Sequence, residues 1–281
     1  MKNNLALTVV IFLKSWGRFM LLVSALSLSF SLAGAADYRN QLVPGLILRY
    51  QHWNTKKEVV TGYSLVSVEL LQEGGSERIL ETTQNIKPDG TLFNEKKIWF
   101  DSTSGTPLRY QEEDLRTEQR ISSVYSKKEI QTQMVEKGRE VKLVVPMASG
   151  LIPFEILIPA LQQEIPDLIQ NQDIKYTLYL SSLLPELLRR NLPLVLSRFP
   201  IKAHLDKSST LQGAWGKTEA VQLIVKPSSE LIYRFLPKNR SEFRFTFAAQ
   251  YPHYLLVFEE GDTRMILQEI NKLQQVAKKN P

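Results

Sequence analysis

Three histidines and two acidic clusters are the residues whose chemistry could form a site. His52, His204 and His253 lie far apart in the sequence, so only the fold could bring them together around a metal ion. Nothing in their spacing indicates a metal site, and three isolated imidazoles on strands or strand ends are the simpler interpretation. We therefore expect no metal and no other cofactor.

The acidic side chains are concentrated in two clusters. They are Glu112-Glu113-Asp114 and the group of Glu259, Glu260 and Asp262. Paired carboxylates can act as general acid and base when they share one site. Adjacent residues of a strand point to opposite faces, however, so these neighbours cannot share a proton and are better explained as solvated strand ends.

Sequence signatures of the common catalytic sites are absent. The chain contains no G-x-S-x-G, G-x-x-x-x-G-K-[ST], H-E-x-x-H or G-x-G-x-x-G pattern. It contains no cysteine, which excludes disulfides, zinc–thiolate sites and cysteine nucleophiles. Arg189 and Arg190 could bind an anion, but a solvated helix end explains them more simply. We expect a protein that is not an enzyme, with hydrolysis through carboxylates as the least favoured function.

The segment EFRFTF suggests an apolar surface. Phe243, Phe245 and Phe247 occupy alternate positions, so they project from one face of a strand. Together with a tryptophan and two leucines they could line a cavity for an apolar ligand. The alternative is a filled core, because most aromatic stripes pack directly against their neighbours. The candidate lining residues are Trp99, Leu157, Leu161, Phe243, Phe245 and Phe247.

Short runs of alternating apolar and polar residues fill positions 46–146. Turn signals such as Glu73-Gly74-Gly75-Ser76 and Lys87-Pro88-Asp89-Gly90 separate them. The spacing predicts an antiparallel meander of eight strands. Six further runs, from IKAHL through LIYRFL to TRMILQ, predict a second strand block with a polar tail over 201–281.

The stretch Leu151–Pro200 has a different character, with six of the fourteen prolines and no glycine. Apolar residues recur at helical spacing up to Ile169, and Pro159 and Pro166 are expected to kink or divide this helix. IKYTLYL returns to strand alternation, and Ser181-Ser182 could cap a short helix through LLPELLRR. The sequence predicts an apolar helical insert at about 151–192, within residues 147–200.

These elements define a β-rich α+β fold. A large curved antiparallel sheet, a meander that resembles a half-open barrel, should carry the Leu/Pro-rich helical insert. Nothing in the composition indicates a linker, so residues 36–281 are expected to form a single domain.

The first 35 residues are typical of an export signal. They carry Lys2, Lys14 and Arg18 but no acid, and Ala33-Gly34-Ala35 suits cleavage before Ala36. An uncleaved anchor in the inner membrane is the alternative. Removal of these residues lowers the net charge from +6 to +3, without the clustered basic stripe of a nucleic-acid-binding protein. We expect a periplasmic or secreted protein with no membrane span after cleavage.

Three segments resemble a family of bacterial exported proteins classed only as a domain of unknown function: VSVELLQEGGSERILETTQ, GTPLRYQEED and AAQYPHYLLVFEEGD. The resemblance extends over 46–268. That family is similar in architecture to the periplasmic lipoprotein carriers and their outer-membrane acceptors, in which a half-open sheet wraps an apolar ligand under helices. The resemblance implies a curved sheet around the insert at 151–200, and it implies no catalytic residues.

Two functions are compatible with these features. The first is a non-catalytic binder or carrier of an apolar ligand, such as a lipid or lipoprotein, in the cell envelope. The second is a non-catalytic protein-interaction module in envelope assembly or maintenance, with a filled core. The purified protein should contain lipid in the first case and should bind a protein partner in the second.

Overall fold

The computed structural model describes residues 38–170, 172–191, 193–229 and 242–272. The predicted export signal, the LIYRFL run and most of the polar tail lie outside these described residues. Only Asn271 and Lys272 of the tail are inside them, where they end the last strand.

Eight strands fill residues 46–146, which confirms the prediction from alternation. Each pairs antiparallel with the next, so this half of the molecule is a meander. Gly74 and Gly75 form the turn between the second and third strands with φ values of 60° and 78°, a conformation that glycine adopts without strain. The strands are β1 (Leu46–Asn54), β2 (Val59–Glu73), β3 (Ser76–Ile86), β4 (Leu92–Asp101), β5 (Pro107–Asp114), β6 (Gln119–Tyr125), β7 (Glu129–Glu136) and β8 (Arg139–Pro146).

The insert contains a helix, a strand and a short helix, in the predicted order. Its first element was not predicted: β9 (Leu151–Pro153) and a 3₁₀ turn (Phe154–Ile156) precede helix α1 (Leu157–Ile169). The expected break in the helix therefore lies before Leu157, at neither of the two prolines, and α1 continues through Pro166. Pro159 is in the first turn, where its missing N–H leaves no bond unmade. The remaining elements are β10 (Ile174–Tyr179), a 3₁₀ turn (Ser181–Leu183), α2 (Leu184–Arg189) and a 3₁₀ turn (Leu194–Ser197).

The C-terminal strand block joins the first one within a single sheet. Its strands are β11 (Arg198–Gly213), β12 (Gly216–Pro227), β13 (Phe243–Ala248), β14 (Leu255–Glu260) and β15 (Thr263–Lys272). The junction is the antiparallel pair of β1 and β15, in which Leu48 lies opposite Ile270 and Tyr50 opposite Leu267.

Within the described residues the resulting sheet has fifteen strands in the order β8-β7-β6-β5-β4-β3-β2-β1-β15-β14-β13-β12-β11-β10-β9, and these strands do not close into a barrel. Among the described strands, only β9 and β10 pair in parallel. The two ends of the sheet nevertheless approach each other, because the hydroxyl of Tyr179 on β10 reaches Oγ1 of Thr132 on β7 at 2.9 Å. The predicted β-rich fold with a large antiparallel sheet and a small helical insert is confirmed.

The main core lies on one face of this sheet, called the concave face here. Tyr50, Phe100 and Phe247 project from this face and are almost fully buried. Alternation places their polar neighbours on the outer face. Helix α1 covers the concave face with Leu161 and Leu168, both with no exposed surface, and contributes them to the same core.

Candidate functional site

The three phenylalanines of β13 form an aromatic stripe on the concave face. Phe245 and Phe247 are 4% and 0% exposed, and their rings stack at 6.1 Å between centroids. Phe258 on β14 extends the stripe, with its ring 5.0 Å from that of Phe245 and 6.2 Å from that of Phe243. The three phenylalanines therefore project from one face of β13, as predicted, and other residues of the protein bury most of the stripe.

Helix α1 lies in the same core as this stripe. Leu157 and Leu161 are 3% and 0% exposed and belong to the hydrophobic cluster that includes Phe245 and Phe247. The side chain of Gln162 ties the helix to the turn between β13 and β14, because its Nε2 donates to the carbonyl oxygen of His253 at 2.8 Å and lies 3.4 Å from that of Pro252. Five of the six candidate lining residues are thus brought together, in a packed arrangement.

Trp99 is the candidate that does not join this group. Ile98 and Phe100, its neighbours on β4, project into the core, so Trp99 points to the outer face. There the guanidinium of Arg109 lies 3.8 Å from the centre of its ring and covers one face of it, and Trp99 is only 8% exposed.

A row of hydrogen-bonded polar side chains crosses the concave face from β1 to β5. We call it the polar band, and it consists of His52, Ser64, Asn85, Asn94 and Glu112. Nε2 of His52 lies 2.7 Å from Oγ of Ser64, which donates to Oδ1 of Asn85. Asn85 donates through Nδ2 to Oδ1 of Asn94 at 2.7 Å, and Asn94 donates to Oε1 of Glu112 at 2.9 Å. Because Ser64 uses its only proton on Asn85, it accepts from His52, and every bond points towards the carboxylate.

The carboxylate at the end of the polar band is strongly held. Tyr110 donates to Oε2 of Glu112 at 2.6 Å, and Nζ of Lys96 lies 3.6 Å from Oε1. Burial, the largest single influence, raises the pKa of Glu112, but Lys96 and the hydrogen bonds from Tyr110 and Asn94 together outweigh it and leave the pKa below its usual value. The expectation that Glu112 is a solvated strand-end residue is wrong, because its side chain is only 15% exposed.

Two further carboxyl groups on the concave side have pKa values that burial raises. Glu81 on β3 stands between Val68 and Ile98 of the neighbouring strands, and burial raises its pKa to about 7. Glu155, just before α1, also has a pKa raised to about 7, with burial again the main cause. Carboxyl groups that titrate near neutral pH are candidates for a functional role.

The three histidines and the second acidic cluster do not come together in one site. His52 belongs to the polar band, His204 lies on β11, and Nδ1 of His253 contacts the carbonyl oxygen of Ala248 at 3.1 Å in the turn before β14. In the described ranges no group of three or more histidine, aspartate or glutamate side chains is arranged to bind a metal ion. Glu259 forms an ion pair with Arg264 at 2.6 Å, as expected for a strand end.

The polar band was missed in the sequence although one signal for it was present. His52 occupies the same alternate positions as Leu48 and Tyr50, so a polar residue could be expected on the inner face of β1. Its partners come from four other strands, and their register cannot be deduced from a single sequence.

Comparison with known proteins gives little guidance. No family model matches the chain, and no curated protein matches it. Two solved structures align with it. One is a protein from Parabacteroides distasonis proposed to be a lipoprotein, with a TM-score of 0.35 and 9% identity over 84% of this chain and 99% of that chain. The other is a protein from Bacteroides fragilis proposed to be exported, with a YmcC-like fold, a TM-score of 0.35 and 7% identity over 85% of this chain and 100% of that chain.

These two similarities are too weak to support a conclusion about this chain. One of the two proteins is a proposed lipoprotein and the other a proposed exported protein, and neither name assigns an activity. Among the described residues, moreover, the helices are all too short or too polar to cross a membrane.

Proposed function

We propose that the protein is an exported, non-catalytic binding protein of the cell envelope that takes up an apolar ligand with an acyl chain. In the absence of ligand, helix α1 occupies the place of that chain on the concave face. Export rests on the N-terminal signal, with the periplasm or the exterior as destination and anchoring by an uncleaved signal as the alternative. The similarity in architecture to periplasmic lipoprotein carriers, which the sequence resemblance implies, is part of this proposal.

One observation supports the proposal above all others. In the part of the chain that the structure describes, the sheet stays open, and helix α1 covers its apolar concave face. A closed or sheet-on-sheet core has no such removable cover. Helix α1 contacts the sheet mainly through apolar side chains such as Leu161 and Ile165, which an apolar ligand could replace.

The free energy lost when α1 leaves the sheet and the free energy gained when an acyl chain is buried there are of the same order. Burial of the four aliphatic side chains Leu157, Leu161, Ile165 and Leu168 stabilises the docked helix by roughly 6–12 kcal/mol, at about 1.5–3 kcal/mol each. This is too much for spontaneous opening of a marginally stable protein. A sixteen-carbon acyl chain contributes roughly 12 kcal/mol, at about 0.8 kcal/mol per buried methylene. A ligand of this kind offsets the loss of the helix contacts.

The hydrogen-bond directions of the polar band support a non-catalytic function. A serine nucleophile requires a histidine that accepts its proton. Here Ser64 donates to Asn85, so Nε2 of His52 acts as the donor towards Ser64. Ser64 is also only 4% exposed, which keeps substrate away from its hydroxyl.

The second candidate is the protein-interaction module, in which α1 is a permanent part of the core. A cleft of about 550 Å³ on the outer face favours it. The apolar side chains of Ile47, Leu65 and Pro88 line this cleft together with Arg49, whose guanidinium lies 5.1 Å from the centre of the Tyr63 ring. An apolar floor with a stacked arginine is a common feature of protein-binding surfaces.

Distance measurement between two spin labels tests the proposal. The chain has no native cysteine, so Ile158→Cys on α1 and Val124→Cys on β6, at 37% and 53% exposed positions, can be labelled specifically. Addition of a sixteen-carbon fatty acid should increase or broaden this distance. The control pair Val124→Cys and Val59→Cys, both on the sheet, should remain unchanged. An unchanged α1 distance at saturating fatty acid supports the interaction module instead.

A further inference from the structure

The insert is joined to the sheet through a buried acidic side chain. Glu155 lies in the 3₁₀ turn directly before α1, and Oγ of Ser181 donates a hydrogen bond to its Oε1. This bond links the two 3₁₀ turns that flank α1 and β10. Oε2 of Glu155 is buried and makes no hydrogen bond to another described residue. Such an atom is tolerable in a neutral carboxyl group and unfavourable in a charged one.

Other contacts between the insert and the sheet lie on the same side of the molecule. The Tyr179 hydroxyl donates to Thr132 of β7, and Nη2 of Arg189 lies 3.9 Å from the carboxylate of Glu136, also on β7. Glu155 therefore stands where the insert meets the strands β5 to β7.

The titratable side chains that face Glu155 come from four strands. They are Lys96 of β4, Tyr110 and Glu112 of β5, Tyr125 of β6 and Tyr179 of β10. Burial has the largest influence on the pKa of Glu155 and raises it to about 7. Ser181 and Lys96 lower the pKa in part, whereas the carboxylate of Glu112 raises it further.

We propose that Glu155 is a proton-controlled latch on the insert, which docks α1 when the carboxyl group is neutral and loosens it when the group is ionised. This inference rests on the proposed exchange of α1 for an acyl chain and specifies what regulates it. The ligand-accepting state is favoured above neutral pH, and the closed state is favoured in mild acid.

The direction of the pH dependence of docking follows from the protonated and ionised states of the Glu155 carboxyl group. When α1 is docked, ionisation leaves a charge on Oε2 without a partner and next to the ionised Glu112. When the insert is loosened, water solvates the charge and the pKa returns towards its ordinary value of 4.5. The docked state thus binds the proton more tightly, so docking weakens as pH rises from about 5 to about 7 and stays weak above that.

Hydrogen exchange of α1 in the full exported chain tests the latch. Amides of Leu157–Ile169, corrected for intrinsic exchange rates, should lose protection by about tenfold or more between pH 5.5 and pH 8, because one unit of pKa difference corresponds to a tenfold change per pH unit. Glu155→Gln should abolish this dependence. Glu81→Gln is the matched control, since Glu81 also has a raised pKa but lies on β3, and it should retain the dependence.

A second variant covers the case in which Glu155→Gln does not fold. Ser181→Ala removes a hydrogen bond that lowers the pKa of Glu155, so the midpoint of the pH-dependent loss should move to higher pH. Protection of α1 that is equal at both pH values in the wild type, or unchanged pH dependence in Glu155→Gln, overturns the latch. Fatty-acid binding without any pH effect on α1 overturns the latch alone. A pH effect on α1 without fatty-acid binding overturns the proposed function.

Discussion

The hydroxyl of Tyr179 donates a hydrogen bond of 2.9 Å to Oγ1 of Thr132, and both side chains are buried. The two residues lie on β10 and β7, each the second strand from one end of the fifteen-stranded sheet. Thr132 also lies 2.9 Å from Oγ of Ser123 on β6. This small network is a polar link that holds the insert against the opposite end of the sheet.

Tyr179→Phe should lower the free energy of unfolding by about 0.5–1.5 kcal/mol, the usual net value of one hydrogen bond, because Thr132 keeps its hydrogen bond with Ser123. Urea denaturation measures this change. Tyr63→Phe keeps its ring beneath Arg49 on the outer face and should change the stability by less than about 0.5 kcal/mol. Equal effects of the two variants would show that the link between the sheet ends contributes nothing.

Asn94 is the centre of the polar band and only 5% exposed. Asn94→Ala removes the acceptor for Asn85 and a donor to Glu112, so it should cost about 1–3 kcal/mol in chemical denaturation. Gln133→Ala deletes an exposed hydrogen bond to Glu140 and serves as control, with an expected change within about 0.5 kcal/mol. A loss in Asn94→Ala as small as in the control contradicts a cooperative band.

The raised pKa of Glu81 predicts a pH-dependent stability. Folding binds its proton more tightly than the unfolded chain does, so this residue makes the protein less stable as pH rises from about 4.5 to about 7. Glu81→Gln should therefore raise the stability relative to the wild type more at pH 8 than at pH 5. Urea midpoints at the two pH values check this, and an identical difference at both values refutes the raised pKa.

Arg109 should stabilise the outer face through its contact with the Trp99 ring. Arg109→Ala is expected to cost about 0.5–2 kcal/mol and to shift the Trp99 fluorescence to longer wavelength, because the ring becomes exposed to water. Glu73→Gln removes only the 3.3 Å ion pair to Arg109, so its effect should stay below about 0.5 kcal/mol without a spectral shift. A shift in Glu73→Gln and none in Arg109→Ala would reverse this assignment.

The sequence allowed much of the fold to be predicted, because alternation and turn residues are local signals. All eight strands of 46–146 and the composition of the insert follow from them. The core-facing side chains of continuous apolar runs were harder to predict. In Ile98-Trp99-Phe100 every residue is apolar, so the pattern does not tell which side chains face the core, and Trp99 proved to lie on the other face.

The carboxyl groups of the candidate site could not have been found from local patterns. Glu112 is buried because Asn94 and Lys96 of the neighbouring strand and Tyr110 of its own strand surround it, and Glu155 is buried because the insert returns to the sheet. Both are consequences of strand register and of contacts between distant segments.

The start of the insert was also mispredicted as helix, since the pairing of β9 with β10 depends on residues more than twenty positions away.

The affinity of a fluorescent sixteen-carbon fatty acid for wild type and for Leu161→Ala tests the exchange of α1 for an acyl chain most directly. Leu161→Ala weakens helix docking by about 2–5 kcal/mol, so the exchange predicts at least about tenfold tighter binding, at 1.4 kcal/mol per factor of ten. Ile224→Ala, a buried site on the outer face of β12, lowers the overall stability without changing the concave face and should leave the affinity near that of the wild type. No saturable binding to any of the three proteins, or equal affinities in the two variants, would contradict the account.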